Sequence, residues 1–245
     1  MQSLPMGFRA VVIGASGGIG SAICSHLSAQ LNVGDVVALS RSSGGLDLLD
    51  EGTVAAAAEK LSGKALDLIV CATGALTIDG RGPEKSLREI DPDAMLRQFH
   101  INAVGPALVA KHFLPRLNRQ SRSIAIFLSA RVGSIGDNRL GGWISYRSSK
   151  AALNQIVRTA SIELSRTHPQ AVIAAVHPGT VQKGYQPLIL TNTRQSVRMR
   201  PQHQSFKLPT ILMKLASSSP MTGGASNGND DHRRPHRSVP STFTR

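Results

Sequence analysis

A tyrosine and a lysine one helical turn apart are the residues of this sequence whose spacing most directly suggests chemistry. Tyr146 and Lys150 stand at positions i and i+4, so a helix through them brings the phenol and the ammonium to one face. A neighbouring ammonium favours the phenolate and thereby lowers the pKa of a tyrosine. Such a phenol can donate a proton to a developing alkoxide or take one from an alcohol. The alternative is an accidental pair without a chemical role.

A glycine-rich loop near the start of the chain has the composition of a phosphate-binding loop. The apolar residues 10–13 run into Gly14-x-x-x-Gly18-x-Gly20, and a segment with helical periodicity follows. Strand, glycine turn and helix in this order are the context of a dinucleotide fingerprint. Residues without a Cβ let backbone N–H groups and a helix N-terminus approach a pyrophosphate closely. An ordinary glycine-rich turn between a strand and a helix is the alternative.

Length and composition limit the function classes. The chain has 245 residues, 41% of them hydrophobic, which is enough for one α/β domain with a sizeable core. No apolar run approaches the roughly 20 residues of a membrane span, and no signal segment is visible, so we expect a cytoplasmic protein without a membrane partner. Cys24 and Cys71 lack metal or redox spacing and are predicted to be buried thiols. No metal site is predicted.

The positive charge is concentrated at the C-terminal end. The net charge is +13, but residues 182–245 hold 10 of the 28 Lys and Arg residues and only 2 of the 15 Asp and Glu residues. The excess charge therefore says little about the core, and nucleic-acid binding is not favoured. We predict a core over residues 1–183, a divergent segment over 184–215 and a disordered basic tail over 216–245.

Six apolar strands alternating with helices are predicted before residue 178. The strands are expected at residues 10–13, 36–40, 46–48, 66–71, 123–128 and 171–176. Helices are expected over 50–61 and 145–165, and a long helix starting at Asp91 is expected to divide or kink at Pro106. This alternation indicates a single α/β domain with a Rossmann-type, doubly wound parallel sheet. Ligands of such sheets bind beyond the carboxyl ends of the strands, where the unusual residues of this sequence are found.

In order and approximate spacing these motifs resemble the short-chain dehydrogenases/reductases. The resemblance covers residues 8–181 and rests on the glycine loop, Asn102, the serines after residue 128, the Tyr146–Lys150 pair and Pro178-Gly179. The sequence around Trp143 is similar to that of the C-factor and sniffer-type subgroup. The resemblance implies hydride transfer between NAD(P)(H) and a small carbonyl or alcohol substrate, in a homo-oligomer.

The resemblance also implies a role for each matching residue. Tyr146 would be the general acid/base, Lys150 would bind the nicotinamide ribose and lower the pKa of the tyrosine, and Asn102 would hold a water in a proton relay. The residues expected to contact the cofactor are Gly14, Ser16, Gly18, Ile19, Gly20, Asp47, Leu48, Ala72, Gly74, Lys150, Pro178 and Gly179.

The charge after the second predicted strand suggests which cofactor is bound. NAD-binding proteins place a carboxylate near the ribose 2′-OH, whereas a 2′-phosphate needs a cation. The sequence here has no acid and continues into Arg41, which favours NADP(H) over NAD(H). A solvated loop arginine is the alternative.

Two positions depart from the family pattern. The usual catalytic serine position, three residues before Gly133, is Ala130, and Ser129 and Ser134 are the nearest hydroxyls. The resemblance implies that a serine orients the substrate carbonyl. We assign this role to Ser129 and keep Ser134 as the alternative. Lys183 stands near the place of the threonine expected after the Pro-Gly pair. These departures leave a second hypothesis open, a cofactor-binding protein with weak or no catalysis.

Overall fold

The computed structural model describes residues 4–178, which form a parallel sheet with helices on both faces. In chain order the elements are β1 (Phe8–Ile13), α1 (Gly18–Ser28), β2 (Val33–Leu39), α2 (Glu51–Glu59), β3 (Leu68–Cys71), α3 (Pro92–Phe99), α4 (Gly105–Phe113), β4 (Ser123–Leu128), α5 (Ile144–Leu164) and β5 (Ala171–Val176). The strand order is β2-β1-β3-β4-β5, and every pairing is parallel. The predicted doubly wound, Rossmann-type fold is confirmed. The predicted divergent segment and basic tail lie outside the described residues.

The central strands bury side chains on both faces because helices cover both. Val11 and Phe127 face the side covered by α2, α4 and α5. Val12 and Ile126 face the other side, where Leu27 of α1 packs against them. This alternation follows from the two-residue period of a strand. Because both faces of the sheet are covered, polar side chains are expected at the strand ends.

The third predicted strand, residues 46–48, is wrong. The segment is a loop, and the sheet within the described residues therefore has five strands rather than six. The backbone N–H of Asp47 donates to Thr53 Oγ1 at 2.9 Å, and the carbonyl of Asp47 accepts from the same hydroxyl at 2.9 Å. Because Thr53 of α2 occupies both backbone groups of Asp47, they are not available to a neighbouring strand.

The second strand differs from the prediction in its bounds and its burial. It spans Val33–Leu39 instead of residues 36–40, and most of its side chains are half-buried or exposed instead of buried. Within the described sheet β2 pairs only with β1, so it is an outer strand and has a neighbour on one side.

The predicted long helix is divided into α3 and α4, as expected. Asp91 caps α3, because its side chain accepts from the backbone N–H of Ala94 at 2.9 Å. A π-helical turn at His100–Val104 separates the two helices. Pro106 follows this turn and has no N–H to donate to the carbonyl of Asn102, four residues earlier, so a regular α-helix cannot continue through this point.

Gly20 is a position where we expect any side chain to destabilise the fold. A Cβ at Gly20 would overlap the carbonyl oxygen of Gly14, whereas a Cβ at Gly18 would meet nothing within 4 Å. We expect Gly20→Ala to lower the free energy of unfolding by about 1–3 kcal/mol, the usual cost of overpacking. Thermal or urea unfolding measures the difference, with Gly18→Ala as the matched control. Equal stability of the two variants would contradict the packing of this loop.

Candidate active site

The glycine loop brings the end of β1 close to the end of β3. Gly14 has φ +86°, and a Cβ there would lie 3.0 Å from the carbonyl carbon of Ala72. Its N–H donates to the carbonyl of Leu39 at 2.8 Å, which also ties the loop to β2. Gly18 is exposed, and the N-terminus of α1 carries no side-chain cap. Gly14 and Gly20 thus serve the packing of the loop, and Gly18 leaves the open space that a phosphate needs.

Tyr146 and Lys150 lie on the first two turns of α5, as the sequence predicts. The Nζ atom of Lys150 is 6.0 Å from the centroid of the Tyr146 ring. Lys150 is only 3% exposed, and its Nζ donates to the carbonyl of Leu128, the last residue of β4, at 3.0 Å. This bond holds the amine at the carboxyl ends of the strands.

Burial shifts the pKa values of both side chains toward their neutral forms. Loss of solvent lowers the pKa of Lys150 from its ordinary 10.5 to about 8. Loss of solvent also raises the pKa of Tyr146 above its ordinary 10.0. The tyrosine shift is opposite to the one expected from the sequence, because desolvation of the half-buried phenol outweighs any effect of the lysine charge.

The amine of Lys150 fits against Gly74 because a glycine has no side chain. The φ of Gly74 is +137°, and a Cβ there would lie 2.7 Å from Nζ of Lys150 and 3.0 Å from Oδ1 of Asn102. The neighbouring Cys71 is fully buried, its Sγ lies 3.2 Å from Oγ1 of Thr73, and burial raises the pKa of its thiol. The backbone that follows β3 therefore packs closely against the amine of Lys150.

The side chain of Asn102 is completely buried and holds the backbone after β3. Its Oδ1 accepts from the N–H of Ala75 at 2.8 Å, and its Nδ2 donates to the carbonyl of Ala75 at 2.9 Å. The same Nδ2 donates to Oε1 of Gln98 at 2.6 Å. Both amide protons are thus used. Gln98 was missed from the sequence, although its position one turn before Asn102 was a usable signal.

The hydroxyl of Ser129 is engaged by α5. Its Oγ donates to Oδ1 of Asn154 at 2.7 Å, and Nδ2 of Asn154 donates to the carbonyl of Gly133 at 3.3 Å. Ser134 is exposed, and its Oγ accepts from the N–H of Asp137 at 3.3 Å. Asn154 was also missed from the sequence, although it follows Lys150 by one turn on the same helix face.

Arg41 lies in the exposed turn after β2. Among residues 4–178 no carboxylate forms an ion pair with it. Asp47 is half-buried, and its Oδ1 accepts from the N–H of Leu49 at 3.0 Å. Leu48 is half-buried and packs against the core. The guanidinium of Arg41 is the part of this edge that is open to an anion.

The remaining predicted contact residues lie at two other strand ends. Ser16 is exposed and Ile19 is half-buried, both close to the start of α1. Pro178 is half-buried and follows β5 by two residues. Gly179 lies outside the described residues, as does Lys183.

A cavity of about 460 Å³ lies at the first turn of α5, away from the Tyr146–Lys150 face. Ile144 and Ser148 line it, one turn apart on a single face of the helix. Tyr146 is two residues from each, which is about 200° around a helix with 3.6 residues per turn. The cavity and the tyrosine–lysine pair are therefore on different sides of α5, and the strand ends are the better candidate for chemistry.

Neither a metal site nor a membrane-spanning helix is found in the described part of the chain. Residues 4–178 hold no group of three or more His, Cys, Asp and Glu residues that could bind a metal. None of the described helices is long and apolar enough to cross a membrane.

Comparison with known proteins identifies the family. The family model of short chain dehydrogenases matches residues 45–189, more than half of the chain. The chain belongs to the short-chain dehydrogenases. A 1-hydroxy-2-glutathionyl-2-methyl-3-butene dehydrogenase of Rhodococcus sp. strain AD45 is 34% identical over 139 residues, which are 56% of this chain and 57% of that protein. The C-signal of Myxococcus xanthus is 39% identical over 98 residues, 40% of this chain and 57% of that protein.

Solved structures support the same family. An NADPH-bound carbonyl reductase from chicken fatty liver matches with a TM-score of 0.61 and 25% identity, over 74% of this chain and 81% of that chain. The resemblance inferred from the motifs is thus confirmed, with carbonyl reductases among the similar folds. This short-chain dehydrogenase spans little more than half the length of the two relatives above.

The shifted pKa of Lys150 predicts a pH-dependent stability. Between about pH 8 and 10.5 the unfolded chain holds a proton on Lys150 that the folded chain does not, so stability rises with pH in this window. We expect the free energy of unfolding of the wild type, minus that of Lys150→Met, to rise by about 3 kcal/mol over this window. Urea unfolding of both proteins at several pH values measures it. A flat difference would contradict the buried position of the amine.

Proposed function

We propose that this short-chain dehydrogenase interconverts a carbonyl and an alcohol, with NADP(H) as hydride carrier and Tyr146 as general acid/base. The observation that carries the proposal is that Lys150, which follows Tyr146 by one turn of α5, has its amine at the carboxyl ends of β3 and β4. There Nζ of Lys150 donates to Leu128 and leaves no room for a side chain at Gly74. In an open parallel sheet this edge is where ligands bind.

The loop residues fit a dinucleotide. The open space at Gly18 and the uncapped N-terminus of α1 are suited to a pyrophosphate. When bound, the nicotinamide supplies or accepts the hydride, and the protein supplies position and proton transfer. Ala72, Gly74 and Pro178 would line the path between the phosphate end and Lys150.

Proton transfer is the task of Tyr146. In the reductive direction its hydroxyl donates a proton to the alkoxide oxygen that forms from the carbonyl, and in the oxidative direction it takes a proton from the alcohol. The ammonium of Lys150 has three donors, of which one is used by Leu128. The other two can bind the cofactor ribose and stabilise the phenolate that remains.

The proposed relay water would be held by the backbone of Asn102, because its side-chain amide protons are already bound to Ala75 and Gln98. The carbonyl of Asn102 receives no bond from position 106, since Pro106 has no N–H. We expect this carbonyl to be the acceptor that holds the water.

The missing hydroxyl at Ala130 and the bond that engages the hydroxyl of Ser129 favour a second candidate function, cofactor binding with weak catalysis. Ala130 has no hydroxyl, and that of Ser129 is bound to Asn154. One hydrogen-bond donor at a developing oxyanion contributes about 2.7–4 kcal/mol in other enzymes.

We also propose that the protein forms a homo-oligomer and is located in the cytoplasm. Leu96, Val104 and Ile162 are exposed apolar residues of the α3-to-α4 region and of α5, and they support association with a second copy. Cys24 and Cys71 are free thiols, which supports a reducing compartment such as the cytoplasm.

Arg41 is expected to determine the preference for NADPH. A bond from a guanidinium to a phosphate contributes about 1.5–3 kcal/mol, so NADPH should bind the wild type roughly 10- to 100-fold more tightly than NADH. We expect Arg41→Ala to lose this preference and Arg88→Ala, an exposed arginine of the β3–α3 connection, to keep it. Melting midpoints measured against the concentration of each nucleotide test this expectation. An unchanged preference in Arg41→Ala would contradict it.

Tyr146→Phe tests the proton-transfer step. We expect kcat for reduction of a carbonyl panel to fall by roughly 10²–10⁴, the usual contribution of a positioned acid or base, while NADPH binding is retained. Turnover is followed by oxidation of NADPH, and binding by thermal shift. A wild type that binds NADPH but turns over no member of the panel would instead support the second candidate function.

A further inference from the structure

Glu84, in the connection between β3 and α3, forms hydrogen bonds with the start of α5. The backbone carbonyl of Glu84 accepts from the N–H of Trp143. Its carboxylate accepts from the backbone N–H of Ser145 at 3.3 Å and from the hydroxyl of Ser145. Ser145 is 1% exposed and Glu84 is half-buried, so the contact is only partly open to solvent. Glu84 and Ser145 are 61 positions apart in the chain.

The first turn of α5 does not supply a cap of its own. The N-cap residue is Trp143, which makes no side-chain cap bond, and the first turn contains no acidic residue. The N–H groups at a helix start have no partner within the helix, and a negative charge is favoured there by the helix dipole. The carboxylate of Glu84 therefore performs from another segment the function that a capping residue usually performs locally.

Trp143 connects this contact with the tyrosine. Its φ is +54°, a left-handed conformation that a bulky residue adopts only when its surroundings hold it. The bond from its N–H to Glu84 is one such restraint. The indole packs edge-on against the ring of Tyr146, with 6.4 Å between the ring centroids and 72° between the planes. The orientation of the phenol thus depends on a conformation that Glu84 helps to maintain.

We propose that Glu84 is a positioning residue for Tyr146. It fixes the first turn of α5 and the left-handed conformation of Trp143, and through them the direction in which the phenol hydroxyl points. Within the described residues Glu84 forms hydrogen bonds with Trp143 and Ser145 and none with Tyr146, so it acts through Ser145 and Trp143. The proposal rests on the proposed function for its effect on turnover, whereas its effect on Trp143 can be observed without any reaction.

Trp143 is the only tryptophan of the chain, so its fluorescence reports this contact alone. In Glu84→Ala we expect a shifted Trp143 emission, stronger quenching by acrylamide and a kcat lower by about 10- to 100-fold, because small misplacements of a reacting group have costs of this size. The KM for NADPH should be nearly unchanged. The matched control is Glu89→Ala, since Glu89 accepts from Lys85 and Ser86 within the same connection and makes no bond to α5.

A merely structural role would lower the melting midpoint and leave the kcat of the folded fraction unchanged. Glu84→Ala and Ser145→Ala should also have non-additive effects on kcat, because they remove the same interaction. If Glu84→Ala does not fold, Glu84→Gln keeps the shape of the side chain and removes the negative charge from the start of α5. Unchanged quenching, or changed quenching with an unchanged kcat, would overturn the proposal. Absence of turnover in the wild type would refute the proposed function, and the quenching would still decide whether Glu84 holds Trp143.

Discussion

A buried lysine amine at the ends of β3 and β4 is the constraint to which the rest of the site conforms. A charged or polar group without solvent needs partners, and Lys150 finds one in the carbonyl of Leu128 at 3.0 Å. Its position is possible only because Gly74 has no side chain, since a Cβ would lie 2.7 Å from Nζ. The helix, the strand end and the glycine therefore form one unit, in which none can change its position alone.

Two irregular stretches of the described backbone lie next to that unit. The π-helical turn before Pro106 places Asn102 where it can hold Ala75, and Trp143 has a positive φ just before the helix that carries the lysine. Such features have an energetic cost and persist where neighbouring bonds hold them. Asn102 bonds to one point of the β3–α3 connection, and Glu84 bonds from a second point to α5. The connection thereby links the end of the sheet to α5.

Local patterns in the sequence were sufficient for the sheet and for the helix that carries the tyrosine–lysine pair, because periodicity and i,i+4 spacing are local signals. They were not sufficient for residues 46–48, which were predicted to be a strand. Two leucines on either side of an aspartate are too short a pattern to distinguish a strand from a loop that is hydrogen-bonded to Thr53. The partner of Ser129 on α5 and the contact of Glu84 depend on residues brought together only by the fold. The shift of the tyrosine pKa could not be predicted either, because burial is a property of the packed structure.

Burial shifts the pKa values of Tyr146 and Lys150 in opposite directions, and each shift favours the neutral form of its side chain. With its pKa raised above 10.0, the phenol of Tyr146 keeps its proton near neutral pH, which is the form needed to protonate an alkoxide. With a pKa of about 8, Lys150 is still a cation at neutral pH and loses that charge as the pH rises. Alcohol oxidation would require the phenolate, and at the pH where it forms the stabilising cation is already being lost. Under the proposed function, the two shifts together favour carbonyl reduction near neutral pH, and the pair, not either residue alone, would set the pH dependence of turnover.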